Sequence, residues 1–138
     1  MNGVAIMHCK IKHCCLDKGE IYSKVCVEAE KGAYTSYLRG MRCKTEELFF
    51  YEVSASFQFP YYFGENWPAM DECLCDLEWL GIPFFINKIC IVIDDFSCMF
   101  SEQAHIQNAL QERVIKYMGI MIDYWEKQNV PVEVWLNN

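Results

Sequence analysis

The apolar run Ile89-Cys90-Ile91-Val92-Ile93 constrains the fold of this chain more than any other segment. A strand without a polar residue is typical of a position covered on both faces, which occurs mainly in parallel sheets with helices packed against them. The flanking sequence fits that arrangement. From residue 33 onward the pattern predicts strand, helix, helix, strand, helix and strand, and therefore a small α/β layer with a parallel sheet.

Local signals predict where the first two of these helices begin. Thr45 is a suitable N-cap because two glutamates follow it in the first turn, and Pro60 ends that helix. Asn66 is predicted to cap the second helix. Pro68 is tolerated there because first-turn residues have no helical partner for their N–H groups.

The C-terminal third is predicted to be a long helix followed by a strand. Ser101 is the expected cap, and an apolar stripe at helical spacing continues to about Gln128. Pro131 stops the helix, and residues 132–136 are a predicted strand.

The first third of the chain is predicted to be β structure. Strands are expected over residues 4–15, 20–29 and 33–39, the second because apolar and polar residues alternate from Ile21 to Val27. The turn formers Asp17-Lys18-Gly19 separate the first two strands. Residues 1–33 are therefore expected to form an N-terminal β extension.

The composition favours one domain inside the cell. The 138 residues contain no repeat or linker that would divide them. The longest apolar stretches fall well short of the ~18 residues that span a bilayer, and the first residues lack the features of a signal peptide. Nine cysteines, an odd number, favour free thiols in a reducing compartment. We therefore expect a cytoplasmic protein with no membrane partner.

The charge is concentrated in one part of the chain. Residues 45–87, called here the acidic segment, contain eight acidic residues and no Lys or Arg, whereas the whole chain has a net charge of −7. A field of this sign repels phosphate backbones, so direct nucleic-acid binding is not expected. It attracts a basic protein partner. The alternative is a solvated acidic face that only keeps the protein soluble.

Potential metal ligands are crowded near the N-terminus. The His8-Cys9 pair and the His13-Cys14-Cys15 run lie on a predicted strand, where alternation sends neighbours to opposite faces. Zinc sites use close ligand pairs at defined distances from each other, which this cluster does not match. No metal site and no cofactor are predicted.

Potential catalytic pairs are also poorly arranged. Helical geometry turns Cys73 inward and Cys75 outward, and it separates the adjacent carboxylates Asp71 and Glu72 by about 100°. Neither pair converges on one substrate atom, so no catalytic residue is predicted.

Residues 59–80 (FPYYFGENWPAMDECLCDLEWL) resemble the barstar family of small intracellular ribonuclease inhibitors. The shared features are a Phe-Pro step, an aromatic pair, Gly-x-Asn and an acid-Cys-Leu step. The resemblance implies a three-stranded parallel sheet with helices packed on it, formed by residues 34–138. Residues 1–33 lie outside it, and the whole of residues 1–138 is expected to be a single barstar-like domain.

The resemblance also implies a function and a site. Family members insert a helix and the aromatic loop before it into a ribonuclease active site, so this chain is expected to be an immunity protein in a toxin–antitoxin pair. Its partner would be a basic toxin, of the ribonuclease class, and it would need no cofactor. The expected contact residues are Tyr62, Phe63, Gly64, Asn66, Trp67, Pro68, Asp71, Glu72, Cys75 and Asp76.

Individual positions qualify this expectation. Glu72 occupies the place of the family's central helix aspartate and is the first candidate for the dominant contact, whereas Asp71 falls where the archetype has a tryptophan. Pro68 replaces a usual aspartate, which argues against barnase itself as the natural target. A further acidic contact of the family falls at either Asp123 or Tyr124.

Two alternatives stay open from the sequence. The chain could be a barstar-fold interaction module that no longer inhibits, which Pro68 favours, or, less in keeping with the residues, a thiol or metal enzyme. The sequence does not decide whether the chain forms homo-oligomers.

Overall fold

The computed structural model describes residues 8–138. The chain contains four strands, β1 to β4, and four helices, α1 to α4, with short 3₁₀ turns at Gly40–Arg42, Glu78–Leu80 and Phe96–Cys98. In chain order the elements are β1 Ile11–Cys14, α1 Lys18–Glu30, β2 Tyr34–Arg39, α2 Glu46–Phe57, α3 Trp67–Leu74, β3 Ile89–Asp94, α4 Gln107–Lys127 and β4 Val132–Asn137.

All four strands lie in one parallel sheet in the order β1-β4-β3-β2. Every residue of β3 is buried, as the apolar run at 89–93 predicts. The predicted α/β class with a parallel sheet is confirmed, and β1 adds a fourth strand at the edge of the expected three.

The two faces of the sheet are covered by different helices. Ile89, Ile91 and Ile93 point into the main core, which α2, α3 and α4 complete. The alternate residues Cys90 and Val92 face the other way and pack with Ile21 of α1. The molecule therefore has three layers, with α1 alone on one side of the sheet and the three remaining helices on the other.

The predicted strand over residues 20–29 is wrong, because this segment forms α1. Asp17 and Glu20 make a capping box: the Asp17 side chain accepts from the Glu20 N–H, and Glu20 accepts from the Asp17 N–H. Of the predicted strand over residues 4–15, residues 11–14 form β1, while residues 4–7 lie outside the described residues. The N-terminal extension is therefore one edge strand followed by a helix.

The long C-terminal helix starts later than Ser101, at Gln107. Backbone hydrogen bonds from Phe100 N to Cys43 O and from Glu102 N to Lys44 O hold the preceding segment against the loop before α2. The Gln103 side chain in turn accepts from the Glu46 N–H at 2.7 Å. Residues 100–103 are therefore held by hydrogen bonds to the segment at the start of α2, and they do not form the first turn of α4.

A buried carboxylate joins the N-terminal extension to the C-terminal edge of the sheet. Asp94, at the end of β3, accepts hydrogen bonds from Lys18 Nζ at 2.8 Å, from the Tyr37 hydroxyl and from Asn137 Nδ2 at 3.0 Å. Asn137 also binds both backbone groups of Leu16. Burial disfavours the charged form of Asp94, but these donors outweigh it and lower its pKa.

None of the helices within residues 8–138 combines the length and the apolar character that crossing a bilayer would require.

Candidate interaction site

Helix α3 is short and is held in place by its apolar side. Asn66 caps it, as predicted, by accepting from the Ala69 N–H at 2.9 Å. Met70, Cys73 and Leu74 are buried in the main core. The Trp125 indole of α4 donates to the Leu74 carbonyl at 2.7 Å, which satisfies a carbonyl at the open end of the helix. The position of α3 is therefore fixed, and its other side is left for contact.

The outer side of α3 and the turn after it are acidic. Glu72, Asp76 and Glu78 are exposed and Asp71 is half-buried. Within residues 8–138 none of the four takes part in a salt bridge. These carboxylates therefore present uncompensated negative charge to the solvent.

The position of this charge on α3 opposes the helix dipole. Asp71 and Glu72 lie in the last turn, where the partial charge is negative, and α3 has no acid in its first turn and no base in its last. Helix α2 shows the favourable arrangement, with Glu46 and Glu47 in its first turn. The acids of α3 are therefore not explained by the stability of the helix that carries them.

The loop before α3 projects two aromatic side chains and anchors a third. Tyr61 is fully exposed and Tyr62 largely so. Phe63 is half-buried and packs edge-to-face on Phe59 with ring centroids 4.8 Å apart. The predicted aromatic pair is thus divided, with Tyr62 available to a partner and Phe63 holding the loop.

Gly64 leaves room for the cap of α3. A Cβ atom at this position would lie 3.1 Å from the Asn66 amide nitrogen, which donates to the Gly64 carbonyl at the same distance. The left-handed backbone conformation in this loop belongs to Glu65, with φ of 52°. Glycine at position 64 therefore leaves room for the Asn66 side chain, and its own φ is not in the left-handed region.

A shallow groove links the loop to the helix. It has a volume of about 230 Å³ and is lined by Tyr62, Phe63, Ala69, Glu72, Cys73 and Asp76. Four of the predicted contact residues therefore meet in one place: Tyr62, Phe63, Glu72 and Asp76.

Trp67, which is among the predicted contact residues, is largely buried in the fold. It is only 8 % exposed, and its indole stacks on Phe49 and on Tyr117 of α4. Its Nε1 donates to Glu46 Oε2 at 2.9 Å. A large aromatic ring at the first position of a short helix is used here to seat the helix on its neighbours.

Part of the acidic segment is neutralised within the fold. Glu52 is buried and accepts from Arg39 Nε at 2.7 Å and from a terminal guanidinium nitrogen at 2.8 Å. Burial disfavours the charge of Glu52, but Arg39 outweighs this effect and lowers the pKa. Glu52 therefore does not add to the negative field outside the protein, although it is one of the eight acidic residues of the acidic segment.

Cys75 belongs to the acidic face as a neutral thiol. It is half-buried, and its Sγ lies 3.8 Å from Asp71 Oδ1 as a weak donor. Burial and the neighbouring Asp71 charge raise the pKa of Cys75 to about 12. A thiol of this kind is suited to packing and hydrogen bonding and not to nucleophilic chemistry.

The two candidates on α4 are separated by the structure. Tyr124 lines a groove together with Cys75 and Asp76, beside the acidic face. Asp123 instead pairs with His8 Nε2 at 2.8 Å. Tyr124 is thus the residue of the two that adjoins α3.

Sequence reasoning missed a basic residue, Arg113, beside the start of α3. Arg113 of α4 lies over the Trp67 ring, with its guanidinium carbon 5.6 Å from the ring centroid, and Tyr117 also stacks on this ring. Residues 113, 117, 120 and 124 share one face of α4 by helical spacing, which is the signal that could have predicted them as neighbours of α3.

The predicted histidine and cysteine cluster near the N-terminus is not brought together. Within residues 8–138 the one group of three potential ligands is His8, Asp123 and Glu126, and it contains none of the cysteines. His8 is paired with Asp123, and Lys10 with Glu126 at 3.5 Å. All nine cysteines are free.

A small parallel α/β protein with an acidic helix and a projecting aromatic loop presents a surface suited to contact with another protein. Comparison with protein-family models matches residues 33–137 to "Barstar (barnase inhibitor)". The match covers most of the chain, and the chain therefore belongs to the barstar family. Members of this family are ribonuclease inhibitors and not enzymes. A comparison with curated proteins gives no match.

Proposed function

We propose that this chain is an intracellular immunity protein that binds and blocks a basic toxin of the ribonuclease class. The contact surface consists of the exposed side of α3, the loop at residues 61–66 and the adjoining Tyr124 of α4. The observation that carries the proposal is the set of unpaired carboxylates on α3, placed against the helix dipole and facing solvent.

The chemistry of the expected target supports this assignment. A ribonuclease cleft must be basic because it binds phosphates, so it is complementary to Glu72 and Asp76. Opposite charges at the rim raise the association rate, and association of barnase with barstar is the standard example of this steering. A few desolvated contacts at the centre of the surface hold most of the binding energy. Glu72 lies in the groove beside Tyr62 and is the proposed central contact.

The start of α3 points to a target other than barnase. Pro68 occupies a position where the family usually has an aspartate, and Arg113 lies over the neighbouring Trp67. Glu46, Glu47 and Glu65 also lie at this end of the surface, so it remains acidic although position 68 carries no charge. We propose that the natural target makes a contact at position 68 that does not depend on a negative charge there.

Inhibition of a ribonuclease tests the proposal. The purified chain is titrated into barnase and into any basic nuclease encoded beside its gene, and the cleavage of RNA is followed. We expect stoichiometric loss of activity for the natural target. The variant Glu72→Lys reverses the central charge, and we expect it to raise Kd by a factor of 30 or more, about 2 kcal/mol.

Glu30→Lys is the matched control. Glu30 is exposed near the end of α1, on the opposite side of the sheet from α3, so the same change in net charge should leave inhibition within about twofold of wild type. Undiminished nuclease activity with excess wild-type chain contradicts the proposal for that enzyme. Equal effects of the two charge reversals contradict the proposed surface.

A non-inhibitory interaction module is the second candidate, because Pro68 and Arg113 alter the start of the surface. This function predicts that the wild-type chain forms a stable complex with its partner and leaves the partner's activity intact. Glu72→Lys should still weaken that complex. Measuring binding and RNA cleavage on the same samples separates the two functions.

A further inference from the structure

Two phenylalanines project from the loop that leads into β3. Phe84 is 83 % exposed and Phe85 is 91 % exposed, the largest exposures among the large hydrophobic side chains of the described residues after Tyr61. The family motif and the proposed contact at α3 do not include them. Two adjacent exposed phenylalanines need an explanation because apolar side chains of this size are rarely left fully in water.

The loop that carries them is held in one shape. The Gly81 carbonyl accepts from the N–H groups of both Phe85 and Ile86, at 2.7 and 3.1 Å. Gly81 has φ of 79°, and a Cβ atom at this position would lie 3.3 Å from the Phe85 ring. Ile82 is buried, and Ile86 packs against the main core. The backbone that carries the two rings is therefore held between two fixed points, so a partner that buries the rings has little loop backbone to order.

This loop is continuous with the acidic face of α3. Phe84 lines a groove of about 360 Å³ whose other members include Asp76, Glu78 and Tyr124. Asp76 also lines the groove that contains Tyr62 and Glu72. One carboxylate thus belongs to both grooves, and a partner that covers Glu72 and Asp76 is adjacent to Phe84.

The charges around the loop decide between possible occupants. The residues that line the groove include two carboxylates and no basic side chain. The nearest lysine along the chain, Lys88, is paired with Glu28 and Glu133. Two copies of this surface would repel each other, whereas a basic partner would be attracted to it.

We propose that Phe84 and Phe85 form a second, apolar anchor for the same basic partner that receives α3. This inference rests on the proposed function. The partner is expected to have an apolar depression rimmed by lysine or arginine beside its active-site cleft. A guanidinium at that rim can stack on a phenyl ring while it pairs with Asp76 or Glu78.

A double variant, Phe84→Ala with Phe85→Ala, tests the anchor. The binding kinetics are measured against the nuclease that the wild-type chain inhibits, beside Glu72→Lys. We expect the double variant to raise Kd at least tenfold, mainly through faster dissociation, because buried apolar anchors act on the lifetime of a complex. The rings are exposed, so the fold should be unchanged by circular dichroism.

Tyr22→Ala is the matched control. Tyr22 is an exposed aromatic residue on α1, on the other side of the sheet, and its removal should leave Kd within about twofold. If Glu72→Lys weakens the complex but the double variant stays within twofold of wild type, the anchor is wrong and the proposed function stands. If Glu72→Lys has no effect, or wild type inhibits none of the enzymes, the proposed function and this inference both fail. A wild-type dimer in sedimentation that the double variant dissociates, with the complex unaffected, assigns the loop to a second copy and overturns the anchor.

Discussion

Acidic residues are used in opposite ways on the two sides of this molecule. On the α1 side and at the sheet edge, Glu28 and Asp94 are buried and surrounded by donors. On α3 and in the turn after it, Glu72 and Asp76 are exposed and have no salt-bridge partner among the described residues. Glu28 and Asp94 therefore take part in interactions that hold the fold together, whereas Glu72 and Asp76 make no salt bridge within the described residues.

The difference shows how a functional charge can be recognised without a bound partner. A carboxylate that stabilises a protein is found beside a cation or at a helix N-terminus. A carboxylate with neither, on a helix end that disfavours it, is retained at some cost in stability. The contrast predicts that removing acids from the two sides changes stability in opposite directions.

The largest effect is expected at the sheet edge, from Asp94→Asn. The substitution removes the charge that Lys18, Tyr37 and Asn137 share, and the amide cannot accept from all three. We expect the free energy of unfolding to fall by about 3 kcal/mol. This value is at the lower end of the range for breaking a buried ion pair, because Lys18 can return to water. Urea denaturation at pH 7 measures this change.

Asp95→Asn provides the comparison for that experiment. Asp95 also contacts Lys18 but is more exposed, and asparagine tolerates its left-handed backbone. Its loss should cost less than about 1 kcal/mol. Equal losses for the two variants would show that burial of the Asp94 network does not contribute the extra stability.

A smaller effect that depends on pH is expected at Glu28. Lys88 lies 2.7 Å from Glu28 Oε1 as an ion pair without hydrogen-bond geometry, and Lys24 donates to Oε2 at 3.2 Å. Lys88 has the largest effect on the pKa of Glu28 and lowers it. Burial raises this pKa and Lys24 lowers it, and the net result is a pKa of about 2. Glu28→Gln should therefore cost about 2 kcal/mol at pH 7.

The sign of the pH dependence follows from the lowered pKa. The unfolded chain binds a proton at Glu28 near pH 4.5, before the folded chain does, so the stabilisation is complete above that pH and is lost as the pH falls toward 2. Denaturation of wild type and Glu28→Gln at pH 7, 5 and 3 should show a difference that shrinks only at the lowest pH. A difference that is the same at all three pH values would contradict the assignment. For the control Glu30→Gln, the free energy of unfolding should differ from wild type by less than about 0.5 kcal/mol.

The sequence predicted the part of the fold in which local and global signals agree. The run at 89–93, the Thr45 and Asn66 caps and the stop at Pro131 are all local features, and each is present. Helix α1 was missed because β-branched residues at 25 and 27 suggested alternation. The Asp17 and Glu20 spacing of a capping box was the stronger signal.

The candidate site was predictable in composition but not in exposure. The motif placed Glu72 and Asp76 on one surface with Tyr62, and one groove contains all three. It could not show that Trp67 turns inward onto Tyr117, because that depends on how α4 packs against α3. It also could not show that Glu52 is neutralised by Arg39 from a strand thirteen residues earlier.

The smallest predicted effect on stability has the opposite sign and bears most directly on function. The double variant Glu72→Gln with Asp76→Asn removes two like charges near the end of α3, where the helix dipole disfavours them. We expect the free energy of unfolding to stay the same or to rise by about 0.5 kcal/mol. Association with the basic partner should become slower and less sensitive to salt.

Glu46→Gln is the matched substitution at the other end of a helix. Glu46 lies in the first turn of α2 and accepts from the Trp67 indole, so losing its charge should lower the free energy of unfolding by about 0.5–1 kcal/mol. Thermal and urea denaturation of both variants, beside stopped-flow association at low and high salt, compares the two helices directly. A loss of stability in the α3 variant as large as that in Glu46→Gln would mean that Glu72 and Asp76 serve the fold. An unchanged or higher stability with slower association would mean that their charge is kept for the partner, because the fold then gains nothing from it.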